Sequence, residues 1–68
     1  MIVINFNKEI YPLKALKEAI KAYAGLAKFS IQQEKKYIKV ILDNIHISVK
    51  PIIKNEFCNY VLSLARKF

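Results

Sequence analysis

With 68 residues, one glycine, one cysteine, one histidine and a net charge of +7, the chain has room for a single domain over residues 1–68 and excludes several kinds of chemistry. Cys58 has no second cysteine to pair with inside the chain, and Cys58 with His46 is too few ligands for a Cys/His metal site. One glycine cannot build a glycine-rich phosphate loop.

A chain this short buries only about 60% of the surface its unfolded form exposes. A single core of that size rarely supplies more than about 3–5 kcal/mol. Small domains often add a cross-link, a metal or a partner, and the first two are unavailable within this chain. Its apolar fraction of 54% therefore points to dense packing and to association with another chain. Charged residues interrupt every apolar run before the roughly 18 residues that a spanning helix needs. The first six residues, MIVINF, show no basic leader and no small-residue cleavage site. With a lone cysteine they suggest a reducing, cytoplasmic setting. Eleven of the twelve basic residues are lysines, hydrated point charges that bind phosphates less specifically than arginine.

Ile2, Ile4 and Phe6 alternate with Val3 and Asn5, which predicts a first strand, largely buried. Pro12 suits the start of a helix. Leu13, Leu16, Ile20, Tyr23 and Ala27 then recur at helical spacing, predicting a helix from residue 12 to about residue 28. Lys14, Lys17, Lys21 and Lys28 form a second stripe on its far side, and four alanines add helix propensity. Phe29 and Ile31 alternate with polar residues. After the polar turn Glu34-Lys35-Lys36 comes the strongest strand pattern, residues 37–42, with Ile38, Val40 and Leu42 on one face and Tyr37, Lys39 and Ile41 on the other. The two segments form a hairpin.

Asp43-Asn44 is a turn signal. Beyond it, Ile45, Ile47 and Val49 alternate with His46 and Ser48, consistent with either a short fourth strand or an extended connection. Pro51 opens a second helix, whose apolar face carries Ile53, Phe57, Tyr60, Val61, Leu64 and Phe68.

The fold class is therefore α+β: a β-α-β-β-α two-layer domain with three strands, or four, in a mostly antiparallel sheet and two helices on one face. A right-handed crossover beside the hairpin favours the strand order one-three-two. That arrangement looks like a ferredoxin-like unit without its last strand, and it leaves the first strand at an edge. The alternative pairs the first and second strands in parallel.

Catalytic constellations are not evident. The five acidic residues lie far apart, and no pair has the spacing of an acid/base couple. A nucleophilic Cys58 would need His46 as its base. The ordinary readings are an inert helix cysteine and a surface or partly buried histidine. Phe6, Tyr23, Phe29, Phe57 and Tyr60 fall on predicted core faces, whereas Tyr11 and Tyr37 are freer.

The run Phe6-Asn7-Lys8-Glu9-Ile10-Tyr11-Pro12-Leu13-Lys14-Ala15-Leu16-Lys17-Glu18-Ala19 resembles the start of HxsD proteins, the small D component of His-Xaa-Ser systems. The later run Ile53-Lys54-Asn55-Glu56-Phe57-Cys58-Asn59-Tyr60-Val61-Leu62 resembles that family's Glu-Phe-x-Asn-x-Leu helix. Its members commonly continue beyond the second helix, whereas this sequence stops just after it. The resemblance implies an accessory protein that works beside radical-SAM enzymes modifying a peptide, and it assigns no catalytic residue and no cofactor.

The residues themselves suggest a non-enzymatic interaction module that takes a protein or peptide, or a second copy of itself, as an added strand. Ile2, Ile4 and Phe6 would lie along or beneath that edge. The alternative is a nucleic-acid binder using Lys14, Lys17, Lys21, Lys35, Lys36 and Lys39 on phosphates, with Tyr37 beside them. A solvated lysine face is the ordinary state of such stripes. A third reading is a purely structural homodimer.

Overall fold

The computed structural model describes residues 1–67. The elements in chain order are β1 (Ile2–Asn7), α1 (Leu13–Tyr23), β2 (Lys28–Gln33), β3 (Tyr37–Asp43), a 3-10 turn (Ile47–Val49) and α2 (Ile53–Ala65). The chain is thus an α+β domain with the sheet order β1-β3-β2, and both pairings are antiparallel.

The hairpin places β2 beside β3, and α1 carries the chain over the sheet so that β3 can sit between β1 and β2. In β1, Ile2 lies opposite Leu42, Ile4 opposite Val40 and Phe6 opposite Ile38. In β2, Phe29 lies opposite Leu42 and Ile31 opposite Val40. Side chains alternate across a pleated strand, so these residues share one face. That face packs against the helices: Ile4, Phe6, Ile38, Val40, Leu42, Leu16, Ala19, Ile53, Phe57 and Val61 form one buried core. Phe57 lies at its centre, with ring centroids 6.2 Å from Phe6, 5.5 Å from Tyr23 and 5.1 Å from Phe29.

The first helix is shorter than its periodicity predicts and ends at Tyr23, four residues before Ala27. Its buried line is Ala15, Leu16 and Ala19, while Leu13, Ile20 and Tyr23 are only half-buried. The alanines therefore do more than favour helix. Their small side chains let α1 lie close to its neighbours, and the larger residues flank that contact. Pro12 sits one residue before the helix in an extended conformation, and its carbonyl accepts the Ala15 and Leu16 amides.

Residues 45–49 form neither a fourth strand nor an extended connection, because Ile47–Val49 close into a 3-10 turn. The His46 ring explains it. Its Nδ1 accepts the Ser48 amide at 3.3 Å and lies 2.7 Å from the Ser48 hydroxyl, a local bond that competes with strand pairing. Asn44 enters this segment with φ of 48°, a conformation that asparagine tolerates. Pro51 lies in the turn before α2 rather than in its first turn. Ile53, Phe57 and Val61 of the predicted apolar face are buried, but Tyr60 is exposed at the rim beside Tyr23. Phe68 lies outside the described residues.

Candidate functional site

The sheet has two outer edges, β1 and β2, and the hydrogen-bond alternation fixes which backbone groups face outward at each. The Lys8 amide donates to the Lys36 carbonyl at 3.1 Å, extending the β1–β3 ladder by one residue. Bonded pairs alternate with non-bonded pairs in an antiparallel ladder. The amides and carbonyls of Ile2, Ile4 and Phe6 therefore point inward to β3, and those of Val3, Asn5 and Asn7 point away from it. On the other side, the Glu34 amide donates to the Tyr37 carbonyl at 2.9 Å. The same alternation turns Phe29, Ile31 and Gln33 outward on β2.

This locates the predicted edge residues. Ile2, Ile4 and Phe6 are on the edge strand, but they act beneath it. Ile4 is 7% and Phe6 3% exposed, locked into the core, and Ile2 is half-buried. Val3 and Asn5 carry the outward hydrogen-bonding groups. Their side chains are exposed on the sheet face opposite the helices, Val3 at 46%. The alternating pattern separates these two residues from Ile2, Ile4 and Phe6, but it reads the strand as largely buried. Which half of the strand bonds to β3 depends on register, and a single strand's sequence does not contain it.

The far end of β1 is tied down. The Asn7 carbonyl accepts the Ile10 and Tyr11 amides, and its side-chain oxygen accepts the Glu9 amide at 2.8 Å. Tyr11, which the sequence pattern leaves free, stacks edge-on against Phe6 with centroids 5.0 Å apart. The outward groups still without a described partner on β1 are thus the amides and carbonyls of Val3 and Asn5 and the amide of Asn7.

The lysines divide between two layers. Lys14, Lys17 and Lys21 line a shallow depression on the outer face of α1. Tyr37 and Lys39 belong to the sheet face that the helices leave uncovered, and Lys35 and Lys36 form the hairpin tip. Lys8 joins the tip through its bond to Lys36, and Asn7, Lys8, Glu9, Lys35 and Lys36 line one depression there. Sequence spacing did not bring Lys8 to that cluster, because the contact depends on β1–β3 register.

Burial raises the Cys58 thiol above its ordinary pKa, an effect that nearby Lys54 partly offsets. The shift is opposite to the one a reactive thiol needs. Burial also raises the Tyr23 phenol, with smaller contributions from Glu56 and Tyr60. His46 sits on an exposed turn with Ser48 as its side-chain partner. Among the described residues no three His, Cys, Asp or Glu side chains gather to hold a metal ion, and no helix is long and apolar enough to cross a membrane.

Comparison with protein-family models, with curated proteins and with solved structures finds no match to the chain. The likeness to HxsD proteins accordingly stays with the residue pattern.

Proposed function

We propose that the chain is a protein- or peptide-interaction module that captures an extended segment as an additional strand on the outer edge of β1. The observation that carries this reading is the set of outward amides and carbonyls at Val3 and Asn5, held on a strand whose alternate residues are locked in the core. An uncovered strand edge is a template for another strand. Main-chain bonds supply affinity in such a complex, and side chains on either face select sequence. The strand Ile2–Asn7 carries no charged side chain, so it lacks the edge lysines that commonly discourage such pairing. The resemblance to HxsD proteins supports a partner belonging to a peptide-modifying enzyme system, with this chain as its non-catalytic accessory.

The test is a selection of displayed random dodecapeptides on the immobilised protein, repeated on Val3→Pro and Asn5→Pro variants. Proline removes an outward amide at these positions without touching the β1–β3 ladder, and edge strands tolerate it there. Peptides that bind the parent and lose binding to both folded variants are expected. If peptides bind parent and variants alike, or if none bind a parent that sediments as a monomer, the edge is not the site.

A second reading, phosphate binding, draws support from the meeting of Lys8 with Lys35 and Lys36 near Lys39 and Tyr37. Oligonucleotide affinity would then fall with salt at a log–log slope of about −0.9 per duplex phosphate neutralised. Lys14, Lys17 and Lys21 occupy the opposite layer and could not join the same contact. No binding at low salt removes this reading.

A further inference from the structure

We infer that the occupant of the β1 edge is a second copy of this chain, paired antiparallel through β1 about a twofold axis with Val3 opposite Asn5 of the other copy. This rests on the strand-addition reading and names its partner.

The hydrogen-bond alternation restricts how two copies can meet. Outward groups belong only to odd-numbered residues of β1, so bonded pairs across the seam must join odd to odd. Paired residues share a face of the sheet. Both helical layers then lie on the same side of one continuous six-stranded sheet, with β1 and its copy at the centre.

Three registers place the odd residues of the short strand opposite one another near its middle. One sets Asn5 against itself and Val3 against Asn7, but the Asn7 carbonyl is already held by the Ile10 and Tyr11 amides. Another sets Val3 against itself and leaves the Asn7 amide unmatched. The third sets Val3 against Asn5, and it fits the groups at hand. The amides and carbonyls of Val3 and Asn5 are satisfied reciprocally, and the Asn7 amide meets the Met1 carbonyl. The axis passes between the two Ile4 residues, a non-bonded pair whose side chains come close. Ile2, half-buried in one copy, then lies opposite Phe6 of the other.

Charge also favours this seam. Each copy carries a net charge of +7, so association is opposed wherever lysines face one another. The span Ile2–Asn7 has no charged residue, whereas β2 opens on the exposed Lys28. Strand β1 can therefore pair with its own copy without setting charged side chains opposite one another across the new ladder.

Sedimentation equilibrium over a range of concentrations tests the association. The parent should sediment at twice its chain mass of 7.9 kDa. Asn5→Pro and Val3→Pro should keep their circular dichroism and dissociate, with a dimer dissociation constant raised roughly tenfold or more by the lost reciprocal bonds. Register is tested by oxidation in a Cys58→Ser background. An equal mixture of Val3→Cys and Asn5→Cys should cross-link, because bonded pairs sit about 5.5 Å apart at Cα, inside disulfide range. Val3→Cys alone should cross-link poorly, since its own copy lies diagonally at about 7–8 Å. A parent that sediments at its chain mass throughout overturns the self-pairing, and Val3→Cys cross-linking alone as readily as the mixture overturns its register. If proline-sensitive peptides are still selected while the parent stays a monomer, strand addition stands and only the second copy is wrong.

Discussion

The two edge strands of this sheet are unequal, although among the described residues each pairs only with β3. Strand β1 sends Ile4 and Phe6 into the core, and its far end is fastened by the Asn7 turn and by Tyr11 against Phe6. Strand β2 sends in Phe29 and Ile31, which remain half-buried, followed by Gln33, which is exposed. One edge is anchored from below and the other only leans on the core. An anchored edge holds its outward amides in strand geometry before any partner arrives, so less ordering is needed on binding. This contrast supports β1, rather than β2, as the docking edge.

The change expected to do most damage removes what both edges share. Phe57 touches Phe6 of β1 and Phe29 of β2 and is fully buried. Phe57→Ala should cost about 3–5 kcal/mol, comparable with everything a core of this size supplies. Circular dichroism at 25 °C should show the variant largely unfolded. A cooperative transition close to the parent's would mean that Phe57 does not join the two edges.

A smaller effect separates inward from outward positions within β1. Ile4→Pro removes an amide that bonds to β3 and a buried side chain, whereas Asn5→Pro removes an outward amide and an exposed one. The lost ladder bond leaves a carbonyl of β3 unpaired, at about 1–3 kcal/mol. Urea denaturation should place Ile4→Pro below Asn5→Pro by about 2–3 kcal/mol. Equal midpoints would mean that the alternation is assigned the wrong way round.

Between the edges the expected difference is smaller again. Ile4 and Ile31 both lie opposite Val40, from its two sides, and differ chiefly in burial. Ile4→Ala empties a buried site and should cost at least about 2 kcal/mol. Ile31→Ala removes a side chain already partly in water and should cost about 1 kcal/mol. Thermal unfolding of the pair measures the inequality directly, and equal losses would erase it.

Much of this fold was legible because local pattern and tertiary structure agree. The alternation of Ile4 and Phe6, and of Ile38, Val40 and Leu42, marks residues that the structure buries, with Ile2 half-buried beside them, and the hairpin with its crossover favours the observed order β1-β3-β2 over a parallel pairing of the first two strands. The errors fall where a local bond outweighs periodicity. Ile45, Ile47 and Val49 alternate like a strand, yet the His46 ring bonds to Ser48 and turns the chain, leaving Ile47 80% exposed. The helical spacing from Leu13 to Ala27 continues past the point where α1 stops, because Ala27 enters the core from the turn before β2. At the candidate site, the sequence identified the strand but not which of its residues face outward. That property belongs to the ladder with β3, thirty residues away in the chain.

The smallest expected effect runs in the opposite direction and concerns the approach to β2. Gly25 lies in the turn that carries the chain from α1 into the weaker edge, and its backbone is not in a left-handed conformation. A methyl group added there would meet nothing within 4 Å. Glycine at such a position widens the unfolded ensemble without serving the folded one, so Gly25→Ala should stabilise the domain by about 0.4–1 kcal/mol. Because the gain arises in the unfolded chain, it should add fully to the loss from Ile31→Ala in a double variant. Non-additivity would show that the turn and the β2 edge are coupled, so that β2 is held by its entry as well as by the core. The contrast with β1, fastened at its exit by Asn7 and Tyr11, would then be one of degree.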